Sequence, residues 1–221
     1  MPLKKYAKYK NLLPKTKVDK KQNKRIAKIE RLVKAERKFY SQTATSSTFS
    51  NAGSVFSLTD GLAVGSSIIT RVGQNVMVDR IRVTGVVENE IVDVYNVMVL
   101  CIFIDTQPNS APTMCGSGAD SALIDFNSGF SSDGFPSLIT NKRFRILKWR
   151  RVICQNITAT QVQAKTFSFN VKLKRPLRVQ YNTANNNTLK NNIYFGVVSD
   201  STALTAHPGI QASYRIEYLD V

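Results

Sequence analysis

Residues 66–87, SSIITRVGQNVMVDRIRVTGVV, decide the fold class. Val76 and Val78 alternate with Met77 and Asp79, which makes one face of an extended chain apolar. After Asp79 the alternation slips by one residue, and Ile81, Val83 and Gly85 then alternate with Arg80, Arg82 and Thr84. A period of two sustained over this length predicts a long strand with one buried face. The slip predicts a β-bulge within it.

The segments on either side read the same way. Upstream, residues 39–59 are rich in Ser and Thr with spaced aromatics, and read as short strands around a turn at Asn51-Ala-Gly53. Asp60-Gly61 marks a further turn. Downstream, residues 94–104 (VYNVMVLCIFI) are apolar almost without a break. Such a strand must be covered on both faces, by a helix or loop of its own chain or by another subunit. Residues 105–140 are loop-rich, interrupted by the apolar piece Leu123–Phe126. A connection this long is usually functional or interfacial. Residues 143–153 (RFRILKWRRVI) read as a strand with Arg143, Arg145, Trp149 and Arg151 on one face, and Phe144, Ile146, Lys148 and Arg150 on the other. In 164–173 the residues Phe167, Phe169, Val171 and Leu173 point inward; 193–198 and 212–219 are the last strands. About eight to ten strands, with no helix beyond the N-terminal segment, predict an all-β sandwich or jelly roll.

Charge divides the chain differently. Residues 1–38 carry 12 Lys and 3 Arg against Asp19, Glu30 and Glu36, a net +12 of the chain's +16. A basic arm, 1–38, therefore precedes a nearly neutral body, 39–221. Residues 1–18 lack periodicity and are expected to be disordered. From about Asp19, a possible N-cap, Ile26, Ile29 and Val33 fall on one helical face and Lys21, Lys24, Lys28 and Arg31 on the other. A terminal cationic helix of this kind answers a polyanion, and nucleic acid is the commonest. The residues expected to bind it are Lys4, Lys5, Lys8, Lys10, Lys15, Lys17, Lys20, Lys21, Lys24, Arg25, Lys28, Arg31, Lys34, Arg37 and Lys38. Arg143, Arg145, Arg150 and Arg151 form a possible second basic patch, beside Trp149 as a base-stacking residue.

Other chemistry is sparse. His207 is the single histidine and no nucleophile motif points to it. The carboxylates form no close pair. Gly61-Leu-Ala-Val-Gly65 lacks the Lys-Ser/Thr of a phosphate loop. No enzyme is expected. Cys101, Cys115 and Cys154 lie far apart and read as free thiols. Asn156-Ile-Thr158 and Asn186-Asn-Thr188 match the glycosylation pattern, but the N-terminus has no apolar stretch of a secretory signal behind its lysines. No run of residues is apolar and long enough to span a membrane, and none is expected as a partner.

Six segments carry a resemblance to a known family. Arg37-Lys-Phe39, residues 53–67 (GSVFSLTDGLAVGSS) and residues 70–87 (TRVGQNVMVDRIRVTGVV) resemble the start of the coat-protein jelly roll of satellite tobacco necrosis virus. They are equally similar to the capsid proteins of circular single-stranded DNA viruses that encode a replication initiator. Residues 103–113 (FIDTQPNSAPT) are similar to a loop in the DNA-virus branch, 141–152 (NKRFRILKWRRV) to a strand of both, and 217–221 (EYLDV) to the satellite coat protein's end.

What the resemblance implies is a jelly-roll capsid subunit that packs a single-stranded genome inside a T=1 shell of about sixty copies. It also implies calcium at subunit interfaces, with Asp220 as the matching carboxylate and Val72 and Asn75 at the matching main-chain positions. Glu36 is one residue out of register with the family's arm carboxylate. Residues 105–109 (DTQPN) favour single-stranded DNA over single-stranded RNA, which implies a virion protein that passes through the host nucleus. The host receptor is not legible. The alternatives are a nucleic-acid-binding β-sandwich protein of low oligomeric state, and a lectin-like sandwich whose tail meets membrane or glycan.

Overall fold

The computed structural model describes residues 22, 37–46, 48–116, 121–125, 135–136, 142–156, 161–182, 186–201 and 207–220. The chain divides into two compact units, Met1–Glu36 and Arg37–Val221. The helix expected from Asp19 lies outside the described residues apart from Gln22, and so do the arm cations from Lys4 to Lys34.

From Arg37 onward the described elements are all strands: β1 (Arg37–Ser46), β2 (Ser54–Ser57), β3 (Asn75–Glu88), β4 (Tyr95–Asp105), β5 (Thr113–Cys115), β6 (Ala122–Asp125), β7 (Phe135–Pro136), β8 (Phe144–Gln155), β9 (Ala164–Tyr181), β10 (Thr188–Lys190), β11 (Asn192–Ser199) and β12 (Gly209–Asp220). Setting aside β5–β7 and β10, eight strands remain, and they pair from the ends inward. β1 pairs with β12, β2 with β11, β3 with β9 and β4 with β8, all antiparallel. These eight strands thus form one long hairpin ribbon, folded over into the sheets β1-β12-β3-β9-β10 and β2-β11-β4-β8. This is the jelly roll.

The slip read from the sequence is a real bulge. Val78 and Arg80 pair in sequence with both neighbouring strands while Asp79 is skipped, so Val76 and Val78 share the buried face with Ile81 and Val83. Opposite that point β9 bulges too, since Val78 faces Leu177 and Arg80 faces Lys172.

The core lies between the two sheets, and aromatic rings join them. Phe195 of β11 stacks on Phe56 at 6.3 Å and on Phe167 at 5.8 Å, and meets Phe169 edge-on at 6.4 Å. Phe167, Phe169 and Leu173 of β9 are buried and Val171 packs against the cluster, as the alternation requires.

Strand β4 is covered on both faces. Met98, Leu100, Ile102 and Ile104 enter the inter-sheet core, while Val99, Cys101 and Phe103 face away from it. The second cover comes from the chain itself: Met114 of β5 and Leu123 and Ile124 of β6 pack over them. The described part of the connection between β4 and β8, β5 and β6, therefore folds back over its own sheet. Gly196 of β11 permits the close approach, because a Cβ there would stand 2.2 Å from Met114 Sδ.

Phe195→Ala should lower unfolding free energy by about 3–5 kcal/mol in denaturant titration, because it removes the ring shared by both sheets. Gly196→Val should lift the insertion and expose Cys101. That thiol is fully buried and pushed upward in pKa by burial, so it should resist thiol reagents in the native chain and label readily in the variant.

Candidate polyanion-binding surfaces

The cations expected to bind a polyanion separate into distinct environments. Arg37 and Lys38, expected at the end of the arm, are the first residues of β1. Lys38 is only 2% exposed, since the register that pairs it with Tyr218 turns its side chain inward. Its ammonium donates to Asp220 Oδ2 and to the Thr70 carbonyl, each at 3.0 Å. Arg37 lies 3.4 Å from Asp79 at the bulge and stays exposed. Lys38 is thus a structural residue, corrected from the expected binding set.

The same knot holds the residues implied to bind calcium. Asp220 Oδ2 accepts the Val72 amide hydrogen at 2.7 Å, and Oδ1 accepts that of Gly73 at 3.5 Å. Val72 therefore turns a donor towards the carboxylate, and the Asn75 Oδ1 accepts from Arg178 Nε at 3.0 Å. The positive charge beside Asp220 is the Lys38 ammonium. Within one chain Asp220 is thus committed to an ammonium and two amide hydrogens, whereas a calcium ion needs several oxygens converging on one point. Among the described residues no group of three or more His, Cys, Asp or Glu side chains converges on a metal position.

Arg71, which carries no role in the sequence reading, is buried next to this knot. It donates to the carbonyls of Leu62 at 3.0 Å and Gly73 at 2.6 Å and to Asn186 Oδ1 at 3.3 Å, and it lies 4.3 Å over the Tyr181 ring. Fork-shaped donation to main-chain oxygens fixes the loop between β2 and β3.

The second basic patch does not form one surface. A bulge in β8 leaves Leu147 unpaired, with Ile102 opposite Lys148 and Phe103 opposite Ile146. Beyond it the faces reverse relative to a regular strand. Trp149 joins Phe144 and Ile146 against the outer cluster under the insertion, and Arg151 shares that face. Arg145, Lys148 and Arg150 lie opposite Ile104, Ile102 and Leu100, on the core-side face of this edge strand, and are exposed. Arg143 is withdrawn altogether. Its guanidinium grips Asp105 in a two-pronged contact of 3.0 and 2.7 Å and donates to the Ser110 carbonyl at 2.6 Å. Asp105 is fully buried, so this pair anchors the start of the insertion. The sequence reading assigned Asp105 to a loop motif and missed this pairing.

One end of the sandwich has a different character. Asn89, Asn96 and Asn156 are buried there. Asn89 donates to the Val94 carbonyl at 3.2 Å and to Asn156 Oδ1 at 3.3 Å, and Asn156 donates to the Glu90 carbonyl at 2.7 Å. Asn96 donates to Asn89 Oδ1. Asn156 is thereby committed to the fold, which argues against the glycosylation reading. The amides brace two loops that leave Ile91, Val92, Val94, Tyr95 and Val162 between 41% and 77% exposed. An apolar cluster held on buried hydrogen bonds is preorganised for contact.

His207 Nδ1 lies 3.1 Å from Ser201 Oγ, but Ser201 is 3% exposed, so its hydroxyl braces a loop rather than facing a substrate. Cys101 and Cys154 are buried, Cys115 is half-buried, and all are free thiols.

No protein-family model matches the chain, and no curated protein matches it. Among solved structures, one of Desmodium yellow mottle tymovirus is similar, with a TM-score of 0.36 and 9% identity over 84% of this chain and 82% of that one. At that score the topology above, and not the likeness, carries the fold assignment.

Arg143→Gln should cost about 3–5 kcal/mol in denaturant titration, because it strands a buried carboxylate. The salt dependence of oligonucleotide binding should not change, which separates the structural role from the expected phosphate contact.

Proposed function

We propose that the chain is a viral capsid protein that self-assembles into a small icosahedral shell and packages a single-stranded genome through its basic N-terminal arm. The observation that carries this reading is the division of labour in one chain. A jelly-roll body, long enough to build a wall, is joined to a segment, Met1–Glu36, that holds +10 of the +16 net charge (11 Lys and 2 Arg against Asp19, Glu30 and Glu36). About sixty such arms would bring ~600 positive charges inside one shell, a scale suited to neutralising part of a small genome. Charge so concentrated serves a polymer rather than a single compact ligand.

The braced apolar end supports the self-association part of the reading. Ile91, Val92, Val94 and Tyr95 stand on a rigid amide network and have no cover within the described chain. In a shell that cover is another copy. Acid residues Glu88, Glu90 and Asp93 lie on the β3–β4 side of this end, and Lys165 on the β9 side, so copies meeting around a symmetry axis would bring opposite charges together. The genome is single-stranded DNA in this reading, and the arm doubles as a nuclear-entry signal.

Electron microscopy of the full-length chain tests this, followed by nuclease treatment of the extracted cargo. Regular shells containing nuclease-sensitive polymer are expected. The double variant Val92→Asp, Tyr95→Asp should unfold within about 1 kcal/mol of the parent yet yield only small species. A parent chain that stays monomeric across salt and calcium concentrations would replace the capsid reading with a nucleic-acid-binding protein of low oligomeric state.

A further inference from the structure

The outward face of the sheet β1-β12-β3-β9 carries a cationic array that the arm and the β8 patch do not include. Arg215 of β12 stands directly opposite Arg82 of β3. In the adjacent row Arg80 stands between Glu217 of β12 and Lys172 of β9. Like charges directly opposite one another destabilise a sheet pair, and here two such pairs adjoin. Glu217 is the one carboxylate in these two rows. It lies 2.9 Å from Arg82 and 3.9 Å from Arg80, and leaves Lys172 and Arg215 uncompensated. Four cations against one anion give the patch a net +3.

The array is also held in place. Arg215 donates to Ser41 Oγ at 3.0 Å and lies 4.9 Å over the Phe39 ring. Arg82 keeps 44% of its side chain exposed although it touches Glu217. The next row across the sheet is all hydroxyl: Thr43, Ser213, Thr84 and Ser168. Guanidinium forks beside hydroxyls are the groups that contact phosphate oxygens. With Phe39 lying under Arg215, these rows present no open aromatic ring for a base to stack on, so contacts of this kind would not read sequence.

We infer that this sheet face is a second binding surface for a single-stranded phosphodiester chain, held through Arg82, Lys172 and Arg215 and blind to base identity. The inference rests on the reading that the chain packages nucleic acid. It gives that reading a second part, in which the arm captures the polymer and the rigid wall lays it down.

The test is fluorescence anisotropy of a labelled oligo(dT) and a mixed-sequence oligonucleotide, titrated with the full-length chain over a range of salt. For single strands each phosphate contact contributes about 0.7 to the slope of log affinity against log salt. The triple variant Arg82→Gln, Lys172→Gln, Arg215→Gln should therefore lower the slope by about 2, equally for both oligonucleotides. Should the triple variant fail to fold, Glu217→Gln reads the same surface with the opposite sign. It adds one net positive charge and should tighten binding at low salt roughly fivefold. An unchanged slope together with unchanged Glu217→Gln affinity overturns the inference and leaves the packaging reading standing. A parent chain with no affinity for either oligonucleotide overturns both. Loss of heparin retention with an unchanged oligonucleotide slope assigns the face to sulfated glycan and overturns the inference.

Discussion

Closure of the ribbon is the constraint on which the body depends. A jelly roll folds as a hairpin whose two ends are its first and last strands, so β1 and β12 must find one another across the full length of the chain. Ten consecutive residues of β1 pair with β12. At the open end of that pairing Lys38 and Asp220 meet, 182 residues apart in sequence. The carboxylate also takes the amide hydrogens of Val72 and Gly73. One buried ion pair thus ties together the first strand, the last strand and the loop that enters β3. A charged contact taken out of water is stabilising only if the remaining hydrogen-bonding capacity is met. Here the Thr70 carbonyl and the two amides meet it.

That clasp explains why cations have to be sorted by environment before any is assigned to a ligand. Lys38 and Arg143 look in sequence like members of a basic protein's binding equipment, and Arg71 carries no role there. In the fold each is spent on main-chain oxygens or a buried carboxylate: Lys38 at the ribbon's end, Arg71 under the β2–β3 loop, Arg143 at the root of the insertion. Electrostatic attraction for a polymer must come from charges still in contact with water. In the described body these include the exposed edge of β8 and the outward rows of β3, β9 and β12.

Much of the fold was legible because it rests on local periodicity. The slip after Asp79 announced the bulge, since a strand with one buried face cannot tolerate a break in alternation without shifting its backbone. The unbroken apolar run at 94–104 announced a strand covered twice. Its cover was not legible. Met114, Leu123 and Ile124 come from a loop-rich stretch with no period, and their packing on Val99, Cys101 and Phe103 is a tertiary outcome. The face assignment in β8 failed for a related reason. Leu147 and Lys148 fit either side of an edge strand, so nothing local marks the bulge that moves Trp149 to the face of Phe144. The site residues were least legible where partners are distant. Neither Lys38 with Asp220 nor Arg143 with Asp105 shows a sequence pattern, because the geometry that unites them is made by the ribbon as a whole.

The two ends of the sheet system place opposite demands on the same chain. Strand interiors are closed by aromatic stacking, with Phe195 in contact with Phe56, Phe167 and Phe169. Loop ends cannot be closed that way, because their backbone groups need hydrogen bonds. At the β3–β4 end the buried amides of Asn89, Asn96 and Asn156 supply those bonds, which frees the neighbouring apolar side chains to face outward. A monomer that needed only to stay soluble would gain nothing from leaving Val92 77% exposed on so firm a base. Rigid support beneath exposed apolar groups lowers the entropy lost when a partner docks. On the cationic sheet face Arg215 is held by Ser41 and Phe39 and Arg82 by Glu217, which would likewise reduce the side-chain freedom lost on binding a polymer. Assembly and cargo binding would then draw on one device, side chains displayed outward from a scaffold braced by its own strand pairing and buried amides.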